Sequence, residues 1–78
     1  MVHMVGNKLK ELRIKKGLSQ QRLAKLARVP QSTIWYIEQG QRSPTLKTLE
    51  KLAKALEVHI QELVSQNDSL NKQKKEWN

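Results

Sequence analysis

The chain has 78 residues, 37% hydrophobic and 4% aromatic. That suffices for one small domain burying about 60% of its unfolded surface. The absence of Cys excludes disulfides, zinc–thiolate sites and thiol catalysis. Fifteen Lys and Arg against seven Asp and Glu give a net charge of +8, a balance that points to a polyanionic partner.

In chain order, the apolar residues follow a helical period and no segment alternates as a strand does. Gly6, Gly17, Pro30, Gly40 and Pro44 act as punctuation. Val5, Leu9 and Leu12 share one face of a first helix, with Arg13 beside them, and Gly17 suits its left-handed end. Ser19 is a good cap for a second helix carrying Leu23, Ala24 and Ala27. After the short turn Arg28-Val29, Pro30 suits the first turn of a third helix, which buries Ile34 and Ile37 and ends at Gly40. Pro44 and Thr45 open a fourth helix with Leu46, Leu49, Leu52, Ala53 and Leu56 on one stripe. Val58, Ile60, Leu63 and Val64 make a short fifth apolar stretch.

Five short helices with tight connections predict an all-α domain over residues 5–64. Residues 65–78 read as a polar C-terminal tail or a short helical extension. The second and third helices, joined by the tightest turn, have the geometry of a helix-turn-helix, whose second helix enters the major groove. Charge follows this division. Residues 1–44 hold nine basic and two acidic side chains, net +7, whereas residues 45–64 hold three of each. No stretch approaches a membrane span, and no secretory h-region precedes the first helix, so a cytoplasmic location is expected. Met4 is expected to be the natural initiator.

The third helix can be read on its own. With Ile34 set at 0°, Ile37 falls at about 300° and Glu38 at about 40°, on the inner side. Ser32 falls at about 160° and Tyr36 at about 200°, on the outer side, with Trp35 on the flank at about 100°. Gln31 lies in the first turn. Gln can donate to adenine N7 and accept from its N6 amino group together, and Ser can bond to either kind of base edge. Tyr36 offers a ring for a thymine methyl. Gln31, Ser32, Tyr36 and Trp35 are therefore the candidate base readers. Trp35 and Tyr36, two of only three aromatic residues, stand together there.

The run GLSQQRLAKLARVPQSTIWYIEQGQRSPTLKTLEKLAKAL resembles the DNA-binding domain of Cro and the lambdoid phage repressors, the XRE-type family. The resemblance covers roughly residues 5 to 64. It implies a five-helix, lambda-repressor-like fold, a homodimer on double-stranded DNA with an inverted-repeat operator, and transcriptional control. It agrees with Gln31, Ser32 and Tyr36 as base readers. Arg28 departs from the pattern, standing where Gly is common in the turn, and a positive φ there costs of order 1 kcal/mol. Glu57 and His59 depart where Gly and Ser are frequent.

Phosphate contacts are expected around the third helix. Gln20 opens the second helix, where free N–H groups and the helix dipole favour an anion, and the resemblance gives this position to a phosphate. Arg42 and Ser43 follow the third helix. Arg22 and Lys25 are further basic or solvated candidates. Arg13 and Glu38 each fall on an apolar face, where a lone charge is expensive. The resemblance pairs them as a bridge between the first and third helices and brings Arg13 near the DNA backbone.

In the tail, Leu63, Leu70 and Trp77 repeat every seven residues, and Ile60, Asn67 and Lys74 repeat three positions earlier. This seam could pair two chains, with Ile60, Leu63 and Leu70 as dimer contacts, or the tail could stay unpaired and polar. No Gly-rich phosphate loop and no G-x-S-x-G elbow occurs, so neither catalysis nor a cofactor or metal is expected. The function expected is a sequence-specific DNA-binding regulator. An antitoxin or other module for a protein partner is the alternative, with DNA binding secondary.

Overall fold

The computed structural model describes residues 2–64, which are helical with no strand. Helix α1 spans Val2–Lys15, α2 Gln20–Ala27, α3 Gln31–Glu38 and α4 Leu46–Leu56. Residues 60–64 form α5. Helix α3 packs against α1 and α2, and α4 packs against α2.

Local chemistry sets the helix starts. The Ser19 hydroxyl accepts from the Arg22 N–H at 3.0 Å, and the Thr45 hydroxyl accepts from the Thr48 N–H at 3.1 Å. Both satisfy first-turn donors that would otherwise face water. Pro30 precedes α3 with φ −63° and no side-chain cap. At α5, the His59 N–H donates to a Glu62 carboxylate oxygen at 3.5 Å. His59 and Glu62, three residues apart, therefore form a capping arrangement.

Helices α1 to α4 all end in one way. A left-handed residue reverses the chain, and the next N–H reaches back to a carbonyl of the last turn. The left-handed residues are Gly17, Arg28, Gly40 and Glu57, with φ of 73°, 60°, 75° and 61°. The returning N–H groups are Leu18 to Arg13 O, Val29 to Ala24 O, Gln41 to Tyr36 O and Val58 to Ala53 O, at 2.9–3.1 Å. Arg28 and Glu57 thus take the glycine-like conformation despite their Cβ atoms. Leu18, Val29 and Val58 pack onto the core beyond their turns, and this contact helps to hold the two strained caps.

The core draws Leu9, Leu23, Ile34, Ile37, Leu52, Leu56 and Leu63 from all five helices, each with less than 2% exposure. Each contributes about 1.5–3 kcal/mol by burial. Two expectations are corrected here. Gly6 does not interrupt the chain, because α1 runs through it from Val2. It is instead the point where α1 meets α3: a Cβ at Gly6 would run into the Ile37 carbonyl oxygen and lie 3.2 Å from Glu38 Cα. Leu63 is 1% exposed within its own protomer's core, so it is spent on folding and is not free to contact a second chain. Ile60 is half-buried against the same core. Leu70, Asn67, Lys74 and Trp77 lie outside the described residues.

Candidate nucleic-acid interface

Helix α3 is short, and its orientation is set from behind. Ile34 and Ile37 are fully buried. The Gly6 contact lets the backbone of α1 lie directly against its last turn. Beside that contact, the Arg13 guanidinium grips the Glu38 carboxylate through two bonds, Nε to Oε2 at 2.7 Å and Nη2 to Oε1 at 3.1 Å. Nη1 donates to the Leu18 carbonyl at 2.8 Å. The side chains of Arg13 and Glu38 are 11% and 2% exposed. A fork-to-fork pair of this kind fixes direction as well as distance.

This occupancy gives Arg13 a positioning role inside the fold. All three nitrogens donate within the protein and little of the side chain faces solvent. Three of its five N–H groups hold α3 and the turn after α1 in place.

Gln20 extends the same network. Its amide nitrogen donates to Glu38 Oε1 at 3.0 Å, and its amide oxygen accepts from Gln31 Nε2 in a long 3.5 Å contact. Arg13, Glu38, Gln20 and Gln31 thus form one chain of hydrogen bonds across α1, α3 and α2. Its last member stands at the exposed start of α3. Glu38 accepts from Gln20, so the Gln20 amide has its nitrogen toward Glu38 and its oxygen toward Gln31. The sequence placed Gln20 at a helix start but gave no sign of this internal role, which depends on two residues distant along the chain.

On the outer side, Gln31 and Ser32 are exposed and Tyr36 is half-buried. Trp35 is 41% exposed, so it does not fold back into the core. Its ring meets that of Tyr36 edge-on, with centroids 5.1 Å apart at 79°. Arg42 lies over the Tyr36 ring, its guanidinium carbon 4.5 Å from the centroid. Arg22, Lys25, Arg42 and Ser43 are exposed. The structure thus brings together Gln20 with Gln31, and Tyr36 with Trp35 and Arg42. A surface with donors, acceptors, aromatic rings and free cations suits hydrogen-bonded reading of a polyanion. Among the described residues no cluster of His, Asp or Glu could hold a metal ion, and no helix is long and apolar enough to cross a membrane.

Comparison with known proteins agrees with this geometry. Residues 9–63 match the helix-turn-helix family. The chain is 39% identical over 66 residues to the transcriptional repressor RstR of the cryptic phage CTXphi from Vibrio cholerae, covering 85% of this chain and 60% of that protein. It is 41% identical over 61 residues to the HTH-type transcriptional regulator PuuR of Escherichia coli, covering 78% of this chain and 33% of that one. The crystal structure of the restriction-modification controller protein C.AhdI from Aeromonas hydrophila is similar with a TM-score of 0.78 and 42% identity, covering 80% of this chain and 94% of that one. The chain therefore spans about three fifths and one third of the two curated relatives' lengths.

Proposed function

The chain belongs to the XRE-type helix-turn-helix family, and from that premise we propose that it is a sequence-specific regulator of transcription. It binds double-stranded DNA as a homodimer on an inverted repeat, in the cytoplasm and on the nucleoid. The observation that carries this reading is the outward face of α3. Gln31 and Ser32 stand exposed there, while Ile34, Ile37 and Glu38 are held behind. Gln31 reads an adenine through N6 and N7, and Ser32 bonds a neighbouring base edge. Gln20 keeps one amide hydrogen free beyond its bond to Glu38, and with Arg22, Lys25 and Ser43 it faces phosphates. Such contacts set register without reading sequence. Leu63 is in the core, so the second chain is met through Ile60 and residues beyond it.

Selection of bound sites from a pool of randomised duplexes tests the proposal. It should return two related half-sites whose centres are about 34 Å apart. The basic half of the chain adds a second measure. With four to six phosphates neutralised per protomer, log K against log salt should fall with a slope of roughly −7 to −11 for the dimer. A slope shallower than about −3 on a selected site would sink the reading.

A further inference from the structure

We infer that Arg42 reads a base, with guanine its target, and that Tyr36 is the residue that positions it. The inference rests on the DNA-binding reading above and deepens it.

The end of α3 differs from the other helix ends. Leu18, Val29 and Val58 follow their left-handed residues and pack onto the core. After Gly40 the corresponding residue is Gln41, which is exposed. The Gly40 N–H donates to the Ile37 carbonyl at 3.0 Å and the Gln41 N–H to the Tyr36 carbonyl at 2.9 Å. The chain therefore doubles back along α3, and Arg42 is the next residue. Its guanidinium lies 4.5 Å over the face of Tyr36, while Trp35 meets the same ring edge-on. The turn is directed at the outer surface, and its product is an arginine on a ring.

A guanidinium stacked on an aromatic face loses freedom but keeps its N–H edge clear. Two of those N–H groups match the paired acceptors O6 and N7 of guanine, the commonest arginine–base contact. Arg42 is exposed and has no carboxylate partner among the described residues, so none of those residues competes for that edge. A phosphate clamp has no need of a fixed plane. The arrangement also changes what Tyr36 can do, because one ring face is already covered and a thymine methyl would have to compete with Arg42 for it.

The experiment measures binding of the full chain and its variants to the selected duplex and to a panel of single base-pair changes. Arg42→Ala should weaken the selected site about ten- to a hundredfold and erase discrimination at one G·C pair per half-site. Arg42→Lys should keep binding to unrelated duplex yet lose that discrimination. Tyr36→Phe retains the ring and should retain discrimination at that pair, whereas Tyr36→Leu should lose it. The double variant Tyr36→Leu with Arg42→Ala should lose no more at that pair than Arg42→Ala alone. Thermal unfolding by circular dichroism should be unchanged for Arg42→Ala, since its side chain is outside the core.

Equal weakening of every duplex by Arg42→Ala would make it a phosphate contact and overturn the inference. Losses from Tyr36→Leu and Arg42→Ala that fall at different base pairs would do the same. If Gln31→Ala alters base preference and Arg42→Ala does not, the inference fails while the DNA-reading proposal stands. A wild-type chain that enriches no sequence removes both.

Discussion

The two faces of α3 are built in opposite ways. The rear is fixed by close contact: buried Ile34 and Ile37, backbone against backbone at Gly6, and a nearly dry Arg13–Glu38 pair. The front carries polar and aromatic side chains with few partners, exposed except for the half-buried Tyr36. Rigidity behind and adaptability in front are separable properties here, so substitutions on the two faces should fail in different assays. Gln20 links them, bonding Glu38 on one side and Gln31 on the other.

The largest effect should come from the rear. Glu38→Ala strands the Arg13 guanidinium at a site 11% exposed, and breaking such a pair costs about 3–5 kcal/mol. Chemical denaturation should show this as a lower midpoint. Replacing both partners by apolar residues, Arg13→Met with Glu38→Leu, should restore much of the stability. It should not restore full DNA affinity, because Gln20 then has no Glu38 to fix its amide. Losses that simply add in the double variant would mean that the pair contributes nothing as a pair.

Gly6→Ala should come next. In an ordinary helix this change gains about 1 kcal/mol. At Gly6 the new methyl meets the Ile37 carbonyl, and backbone cannot yield as a side chain can. A net loss of about 2 kcal/mol is expected, within the range of overpacking. Thermal and chemical unfolding check it, and a stabilised Gly6→Ala variant would show that α1 and α3 are not in backbone contact.

Much of this architecture was legible from local signals. Ser19 and Thr45 cap helices, and Gly17 and Gly40 end them, because those effects depend on neighbouring residues only. Arg13 and Glu38 were conspicuous as charges on apolar faces. Gly6 was misread because its purpose lies in a contact with Ile37 and Glu38, more than thirty positions away, and a glycine in a sequence carries no mark of what approaches it. Leu63 was misread because a core position and a pairing seam use the same apolar spacing. The stack of Arg42 on Tyr36 needed the path of the chain after Gly40, which residue types alone do not set.

On the front face, Gln31→Ala should leave the denaturation midpoint unchanged. It should weaken the selected site by about 1–3 kcal/mol and relax preference at one base pair in each half-site. This contrast with Glu38→Ala is the direct test of separability. A Gln31→Ala variant that loses stability instead would show that the Gln20–Gln31 contact belongs to the fold and not to the reading surface. Lys25→Ala, if it acts on DNA at all, should weaken all duplexes alike.

The smallest expected effect concerns the turn that leads into α3. Arg28 holds φ 60° and ψ 47°, a conformation that costs a residue with a Cβ about 1–2 kcal/mol. Arg28→Gly removes that strain but gives the unfolded chain more freedom, which offsets about 0.4–1 kcal/mol of the gain. A net stabilisation of about 0.5–1 kcal/mol is expected. Glu57→Gly, at φ 61°, should gain a similar amount at the end of α4. Arg28 lines the groove between α2 and α4 with Lys51 and Lys54, a groove that Gln31, Ser32 and Tyr36 do not line. Base preference should therefore survive Arg28→Gly intact, even though the turn directly precedes the reading helix. Unfolding midpoints at unchanged denaturant dependence would report the stability gain, and the base-pair panel would report the preference. A shifted preference would mean that the strained turn, and not only the clamp behind α3, sets how the front face meets DNA.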